Sequence, residues 1–300
     1  MTATYVGMDI GATKCAILID DGNGPPLSQT LPSTDWEAEP AELAAVWIDR
    51  ALRSVLPKDA QVSALAVGAQ GIDREQVALE LEDALGTLGY RLVRCVNDAS
   101  LLVPAAGLRH GLGLIAGTGA IGNGVDATGR LLLTGGWGAV IGDDAGAAGI
   151  TREATKAALL AHDDGLPDDG LLAALLNAFQ VDDAERLARS VNDLPTTEHW
   201  GRRASAVFAA AEAGSGLARA VITSAAEHLV RLVAQLRSRG ALGTEVVAAG
   251  SVIVGQPALA GAVGDLLAEQ HPDLGFRVLT SEPVSGALVL ARRLQLSGRE

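Results

Sequence analysis

Two segments of the chain share one pattern: an apolar run, a turn rich in glycine and threonine, a second apolar run and a polar turn. The first is YVGMDIGATKCAILIDDGNG at 5–24, and the second is LGLIAGTGAIGNGVDATGR at 112–130. Apolar runs separated by short glycine-rich turns predict β-hairpins. Their recurrence predicts a degenerate internal repeat.

Helical and strand patterns alternate in the rest of the chain. Helical spacing of apolar residues predicts helices at 42–56, 75–89, 151–162, 168–179, 182–190, 203–239, 257–270 and 285–296. Further strands are predicted at 62–73, where the strand runs into a loop, and at 91–98, 244–252 and 275–281. This alternation predicts an α/β fold with parallel strands.

The length of 300 residues allows two domains, each with its own core. The predicted N-terminal domain comprises residues 1–114 plus 285–300, and the C-terminal domain comprises residues 115–284. No linker-like segment separates the halves, so we expect them to share an intimate cleft.

The composition argues against several classes of partner. A formal net charge of −13 disfavours nucleic acid, because no basic patch offsets it. The N-terminus lacks a basic start and an apolar core, and so predicts no export signal. The longest uncharged run, 246–264, is interrupted by glycine and proline, which disfavours a membrane span. We therefore expect a soluble protein with no nucleic-acid or membrane partner.

The two cysteines, Cys15 and Cys95, lie far apart in the sequence, and each sits in an apolar run. This spacing excludes a metal site of the CxxC type and predicts buried free thiols. Free thiols suit a reducing compartment, so we expect a cytoplasmic protein.

The glycine-rich turns raise the question of nucleotide binding. GTGAIG at 117–122 satisfies G-x-G-x-x-G, but a dinucleotide-binding fingerprint must open a helix, and the following glycines and the turn DATG leave no room for one. No Walker A motif occurs in the sequence. Two hairpin turns can instead present backbone N–H groups and hydroxyls to a triphosphate.

Charged residues in the first hairpin fit such a role. Asp9, at the end of the first strand, predicts a Mg²⁺ ligand that acts through water. Lys14 is equally a candidate phosphate contact and a solvated strand residue. Asp98 ends the parallel strand predicted at 91–98, at the edge where such sheets bind ligands. The alternative is that it caps the helix beginning at ASLLVPAA.

Six motifs, in sequence order, carry a family resemblance: DIGATK, GAQGID, NDAS, AGTGAIGNG, GGWGAVIGDDAG and AAGSVI. Together they resemble the N-acetylglucosamine and glucosamine kinase group, which shares a family with the ATPases that activate benzoyl-CoA reductase. The similarity spans nearly the whole chain. It implies two actin/hexokinase-like domains, of the ribonuclease H-like type, flanking a nucleotide cleft.

The resemblance also implies roles for individual residues. The first phosphate loop would comprise Asp9, Gly11, Ala12, Thr13 and Lys14, and the second Gly117, Thr118 and Gly119. The adenosine side would comprise Ala213, Gly214, Gly250 and Ser251. The sugar side would comprise Asp35, Asn97, Asp98, Thr118, Gly136, Trp137, Gly138 and Asp143. Asp98 would be the general base toward the sugar 6-hydroxyl.

Two departures from the group affect the substrate side. Asp35 stands where N-acetylglucosamine kinases tend to have asparagine; an ionised aspartate only accepts hydrogen bonds, so it would favour a cationic amine over an acetamide. Asp144 replaces a usual glutamate. An alternative role for Asp143 or Asp144 is to cap a helix that starts near Gly146.

The predicted function is ATP-dependent phosphorylation of the 6-hydroxyl of an amino sugar, glucosamine or N-acetylglucosamine, with ATP and Mg²⁺ as cofactors. A homodimer is a reasonable expectation for the group. Two other functions stay open: an ATPase that activates a reductase partner, and a sugar sensor without phosphotransfer.

Overall fold

The computed structural model describes residues 3–11, 13–57 and 60–297, which divide into two compact units. Unit 1 comprises Met1–His110, Thr128–Leu131 and Leu279–Glu300, and unit 2 comprises Gly111–Ala127 and Leu132–Val278. The predicted bounds at 114 and 285 differ from these, and a boundary at 114 would divide a strand of the second sheet.

The strands, in chain order, are β1 (Thr4–Ile10), β2 (Lys14–Asp20), β3 (Leu27–Pro32), β4 (Val62–Ala69), β5 (Val93–Asn97), β6 (Leu112–Ala116), β7 (Ala120–Val125), β8 (Leu131–Gly135), β9 (Glu245–Ala249) and β10 (Gly275–Val278). The helices are α1 (Ala41–Val55), α2 (Glu75–Thr87), α3 (Leu102–Ala105), α4 (Ala147–Asp163), α5 (Leu171–Phe179), α6 (Ala184–Asp193), α7 (Thr197–Gly201), α8 (Ala204–Glu212), α9 (Gly216–Ser238), α10 (Ser251–Gly255), α11 (Pro257–Gln270) and α12 (Val284–Ser297). A 3₁₀ turn, Asp98–Leu101, precedes α3.

The two five-stranded sheets have the same strand order. Unit 1 holds β3-β2-β1-β4-β5, and the second sheet holds β8-β7-β6-β9-β10. In each sheet the first hairpin is antiparallel, and two further strands run parallel to its first strand. The predicted α/β class with parallel strands is confirmed.

The core of unit 1 follows from the alternation of side chains along β4. One face carries Leu65 and Val67, which pack with apolar residues of α1 and α2. The other face carries Ala64 and Ala66, which pack with Ala287 of α12. Because successive strand residues point to opposite faces, small residues on one side let α12 lie close to the sheet.

Unit 2 has a larger core, in which α4, α8, α9 and α11 pack around β6 and β9. Central strands buried on both faces read as apolar runs without alternation, as in VVAA of β9.

The structure corrects some predicted elements. The helix predicted at 203–239 is wrong, because Gly214, at φ +114°, ends α8 and Ser215 caps α9 by accepting a hydrogen bond from the backbone N–H of Ala218. The strands β3 and β8 and the short helices α7 and α10 are not predicted by the sequence. Most of β3 is exposed, so it lacks the apolar alternation that marks a strand.

Within the described ranges, no single helix combines the length and hydropathy of a membrane span. The bent pair Thr197–Glu212 and Gly216–Ser238 meets both criteria together, by length and composition only.

Gly7 permits the close approach of α12 to β1. A Cβ added at Gly7 would lie 2.3 Å from the backbone nitrogen of Leu288, which cannot move without shifting the helix. We therefore predict that Gly7→Ala lowers the free energy of unfolding by about 1–3 kcal/mol or more.

Gly261 of α11 provides the matched control, because nothing lies within 4 Å of its added Cβ. Gly261→Ala should be neutral or stabilising by about 0.5–1 kcal/mol, since alanine favours a helix interior. Urea denaturation of both variants measures the difference, and equal stabilities would contradict the packing argument.

Candidate active site

Two carboxylates lie at one edge of the unit 1 sheet. Asp9 is the penultimate residue of β1, and Asp98 directly follows β5. Since β1, β4 and β5 are parallel, their carboxyl ends share that edge. This edge is where ligands bind in open α/β sheets.

The pKa of Asp9 is raised to about 7, first by burial and then by the negative charge of Asp98. The ammonium of Lys14 opposes this rise, and Glu282 adds to it. Asp9 is therefore a partly buried carboxylate surrounded mostly by negative charge, and a nearby cation would relieve the repulsion.

Asp98 also has a raised pKa, mainly because of burial. Its Oδ1 accepts a hydrogen bond from the backbone N–H of Ala99 at 2.8 Å, which opposes the rise. Asn97, which is buried, is the residue that caps the 3₁₀ turn, and its amide donates to Asp73 at 2.8 Å. The backbone N–H of Ala99 donates to the side chains of both Asn97 and Asp98, so the turn does not depend on Asp98 alone.

The first glycine-rich turn is closed by a hydrogen bond from the backbone N–H of Gly11 to the carbonyl of Lys14, at 3.0 Å. Ser33, which is buried, donates its hydroxyl to the Gly11 carbonyl at 2.6 Å, and its N–H lies 3.3 Å from the Thr13 carbonyl. The segment after β3 thus holds this turn. Ala12 lies outside the described residues.

Asp35 is turned toward α1. Its carboxylate accepts hydrogen bonds from the indole of Trp47 at 3.1 Å and from Arg50 at 3.2 Å. These contacts, the indole first, lower the pKa of Asp35. The negative charge that was predicted to favour an amine is therefore already paired with a guanidinium.

The second glycine-rich turn, Gly117 to Gly119, packs against the start of α4. The backbone N–H of Ala147 donates to the Gly117 carbonyl at 2.8 Å. A Cβ added at Gly250 would lie 2.5 Å from the carbonyl of Ala116, so the backbone before Ser251 also meets this turn. Five predicted phosphate and adenosine residues therefore lie together: Gly117, Thr118, Gly119, Gly250 and Ser251.

Asp143 lies against the same turn. A Cβ added at Gly119 would be 2.4 Å from its Oδ2, so only glycine leaves room for this carboxylate. Asp143 is 8% exposed, and its Oδ1 has no hydrogen-bond partner among the described residues. Burial raises its pKa, and the N–H groups of the neighbouring backbone oppose that rise. A buried acceptor without a partner is available to ligand hydroxyls.

Asp144 has a different set of contacts. It does not cap α4, whose N-cap is Gly146 without a side-chain bond, so the capping alternative is wrong for both aspartates. Its carboxylate contacts Arg152 at 2.5 Å and His228 Nδ1 at 3.4 Å. Burial lowers the pKa of His228, although the charge of Asp144 opposes this.

Residues 135–144, GGWGAVIGDD, form a segment that we call the tryptophan loop. Its apolar side chains are exposed: Trp137 at 74%, Val140 at 70% and Ile141 at 81%. Gly136 and Gly138, on either side of Trp137, have positive φ angles that no other residue type adopts readily. The loop therefore presents an apolar surface next to the buried carboxylate of Asp143.

Ala213 and Gly214, predicted on the adenosine side, form the break between α8 and α9. Arg219 donates to the Gly214 carbonyl, and Asp169 accepts a hydrogen bond from Ser215 at 2.9 Å. These contacts fix the shape of the break.

Several residues beside the candidate residues of each unit are not predicted by the sequence: Ser33, Asp73 and Glu282 in unit 1, and Arg152 and His228 in unit 2. Asp73 belongs to the motif GAQGID and could have been found there. The others have no motif, and only the fold brings them to the site.

The residues around Asp9 fit a Mg²⁺ ion. Magnesium prefers oxygen ligands and keeps several waters, so one carboxylate with substrate phosphates suffices. The described residues contain no group of three or more His, Cys, Asp or Glu side chains that could hold a metal. The site therefore does not resemble one in which protein side chains supply all of the metal's ligands.

Several solved structures of other proteins share the fold of this chain. A Chromobacterium violaceum protein provisionally named N-acetylglucosamine kinase superposes with a TM-score of 0.68 at 23% identity, covering 97% of this chain and 99% of that one. A glucokinase of the ROK family from Streptomyces griseus, solved with glucose and AMPPNP, gives 0.55 at 18%, covering 97% and 100%. The chain has the actin/hexokinase-like fold that the motifs predicted.

Residues 6–291 match the BadF/BadG/BcrA/BcrD ATPase family, and the chain belongs to that family. An N-acetyl-D-glucosamine kinase of Dictyostelium discoideum is 25% identical, over 96% of this chain and 97% of its own. An N-acetylmuramic acid/N-acetylglucosamine kinase of Clostridium acetobutylicum is 28% identical, over 77% and 78%. The family prediction from the six motifs is confirmed.

The raised pKa of Asp9 predicts how stability depends on pH without Mg²⁺. The carboxyl group holds its proton more tightly in the folded state, so folding becomes less favourable as pH rises through about 7. Asp9→Asn should therefore raise the free energy of unfolding at pH 8 by on the order of a few kcal/mol. The gain should shrink as pH falls below 7 and approach zero below the ordinary pKa of 3.8, where the group is protonated in both states.

Denaturant titrations at pH 8 and pH 5 measure this effect. Asp265→Asn, at an exposed position of α11, is the control for loss of one negative charge. A loss of stability in Asp9→Asn of equal size at both pH values would contradict the argument.

Proposed function

We propose that this protein is an ATP-dependent kinase that phosphorylates the 6-hydroxyl of an amino sugar, glucosamine or N-acetylglucosamine. The observation that carries the proposal is the position of Asp98, a partly buried carboxylate beside Asp9 at the carboxyl edge of a parallel sheet. The names of the relatives from Dictyostelium discoideum and Clostridium acetobutylicum support the substrate class.

Asp98 is the proposed general base. Its raised pKa makes it a stronger base than an exposed aspartate, and burial keeps water from competing for the proton. The hydrogen bond from Ala99 fixes the orientation of the carboxylate. Asp98 accepts the proton of the sugar 6-hydroxyl as that oxygen attacks the γ-phosphorus of ATP and the bond to the ADP leaving oxygen breaks.

The remaining proposed roles are binding roles. In unit 1, Gly11, Thr13 and Lys14 bind phosphate oxygens, and Asp9 holds a hydrated Mg²⁺, which neutralises charge on the phosphates when bound. In unit 2, the backbone of Gly117 to Gly119 binds phosphate, and Ala213, Gly214, Gly250 and Ser251 bind adenosine. The proposed sugar contacts are Asp35, Asn97, Thr118, Gly136, Trp137, Gly138 and Asp143.

The alternative function as activator of a reductase receives less support. An activator that carries an iron–sulfur cluster at an interface needs accessible cysteine thiolates. Cys15 and Cys95 are both buried, and burial raises the pKa of Cys15 to about 12. Such buried thiols suit a protein of the reducing cytoplasm, where we propose that this kinase acts as a homodimer.

Replacement of the base tests the mechanism. Asp98→Asn should lower kcat by roughly 10²- to 10⁴-fold, because an amide cannot take up the proton. ATP affinity should stay within about twofold of wild type, since the base does not contact the nucleotide in this mechanism. Coupled ADP release measures kcat over a panel of glucosamine, N-acetylglucosamine, N-acetylmannosamine and glucose, and calorimetry measures ATP binding.

Asp265→Asn again controls for the change in charge. Turnover at the wild-type rate in Asp98→Asn would remove Asp98 from the mechanism. Sugar binding without ADP release in the wild type would favour a sensor instead.

Variants of Asp35 and Arg50 give a second test, which concerns the preference between glucosamine and N-acetylglucosamine as the acceptor. If Asp35 faces the sugar, Asp35→Asn should lower the ratio of kcat/KM for glucosamine to that for N-acetylglucosamine. Arg50→Gln should raise the ratio, because it removes the cation that pairs with the carboxylate. Both shifts should be at most several-fold, because solvent screens charges at this exposed site. An unchanged ratio in both variants would mean that Asp35 does not recognise the amine.

A further inference from the structure

Arg152, in the second turn of α4, directs its guanidinium into the protein. Its side chain is 15% exposed. The guanidinium donates to the backbone carbonyls of Ala139 and Gly142 and to the carboxylate of Asp144. Its Nε donates to Glu153 on its own helix at 2.7 Å.

These contacts bracket Asp143 in the sequence. The carbonyls of Ala139 and Gly142 precede it, and the Asp144 carboxylate follows it. One rigid side chain thus joins α4 to three points of the tryptophan loop. A planar guanidinium with five donors can make such a set of bonds, whereas an ammonium on a flexible stem cannot hold them at once.

The direction of the Asp143 carboxylate depends on the backbone of the loop. Asp143 has φ +54°, a left-handed conformation that is uncommon outside glycine, although aspartate and asparagine adopt it more often than other residues. Its Oδ1 accepts no hydrogen bond from the described residues, so side-chain bonds do not aim that oxygen. Its carbonyl is held by the N–H of Gly146 at 2.8 Å. The backbone of Ala120, Gly136 and Gly138 also donates hydrogen bonds to the Asp143 carboxylate. The torsion angles of the loop and these backbone N–H groups therefore aim the carboxylate together.

The charges around Arg152 favour this arrangement. Asp144 and Glu153 pair with the guanidinium, and His228 contacts the other oxygen of Asp144. Burial lowers the pKa of His228, so the imidazole is mainly neutral at pH 7 and does not add a second cation to the cluster. The pairing offsets the cost of burying the guanidinium.

We infer that Arg152 is a positioning residue, which fixes the tryptophan loop and thereby aims Asp143 at the acceptor. The effect on the acceptor rests on the proposed sugar kinase function. The effect on the loop does not.

The test compares Arg152→Lys and Arg152→Met with the wild-type protein. Hydrogen–deuterium exchange of the unliganded protein reports on the loop, where the backbone N–H groups of Gly136, Gly142 and Gly146 are hydrogen-bonded. Both variants should exchange faster across 136–146, with no change across β1 and β2. Arg189→Met, at an exposed position of α6, is the control for loss of an arginine.

Steady-state kinetics report on Asp143. The sugar kcat/KM should fall by roughly tenfold to a hundredfold in Arg152→Met, through the KM for sugar, because loss of bonds to a charged donor leaves buried acceptors unsatisfied. The KM for ATP should change by less than about threefold. Arg152→Lys should recover part of the loss, since lysine keeps the charge and one bond.

Unchanged exchange across 136–146 in both variants would overturn the inference, and so would faster exchange with an unaltered KM for sugar. If the wild-type protein phosphorylates no sugar in the panel, the proposed function fails. Exchange and binding of the same sugars to wild type and Arg152→Met then decide the role of Arg152, and equal exchange or equal affinity counts against it.

Discussion

Parallel pairing of β1 with β4 and β5 holds two carboxylates, Asp9 and Asp98, at one edge of a sheet. Burial and the negative charge of Asp98 both oppose ionisation of Asp9, and its pKa rises to about 7 as a result. The strands and their close contact with α12 must supply the free energy that keeps the charges together. This is the usual relation between a rigid scaffold and a site that destabilises it.

Unit 2 orients its buried carboxylate by other means. Asp143 lies in a loop rather than at the end of a strand, so ladder hydrogen bonds do not fix it. Gly119 leaves the space that its carboxylate occupies, and Arg152 ties the loop to α4. An acceptor oxygen that is buried and unpaired stays available for a ligand, but its direction then depends on backbone restraint.

The two sheets share a strand order but differ in their turns and insertions. The first hairpin turn is held by Ser33 from the segment after β3, while the second is held by the start of α4 and by the backbone at Gly250. One architecture thus presents two sets of side chains. Membership of an ATPase family agrees with a nucleotide-dependent role, and the function itself depends on the individual residues.

The sequence by itself determined the α/β class, the hairpins, most helices and the family. Apolar periodicity is a local signal, and strand direction follows from the alternation of helices and strands, so the neighbourhood of Asp9 and Asp98 could be predicted. The exposed edge strand β3 and the break at Gly214 lacked such a signal. Only the tertiary structure decided the partners of the charged residues. Asp35 meets Trp47 and Arg50, and Asp144 meets Arg152 and His228, because packing brings together helices and loops whose separation in sequence carries no information about contact.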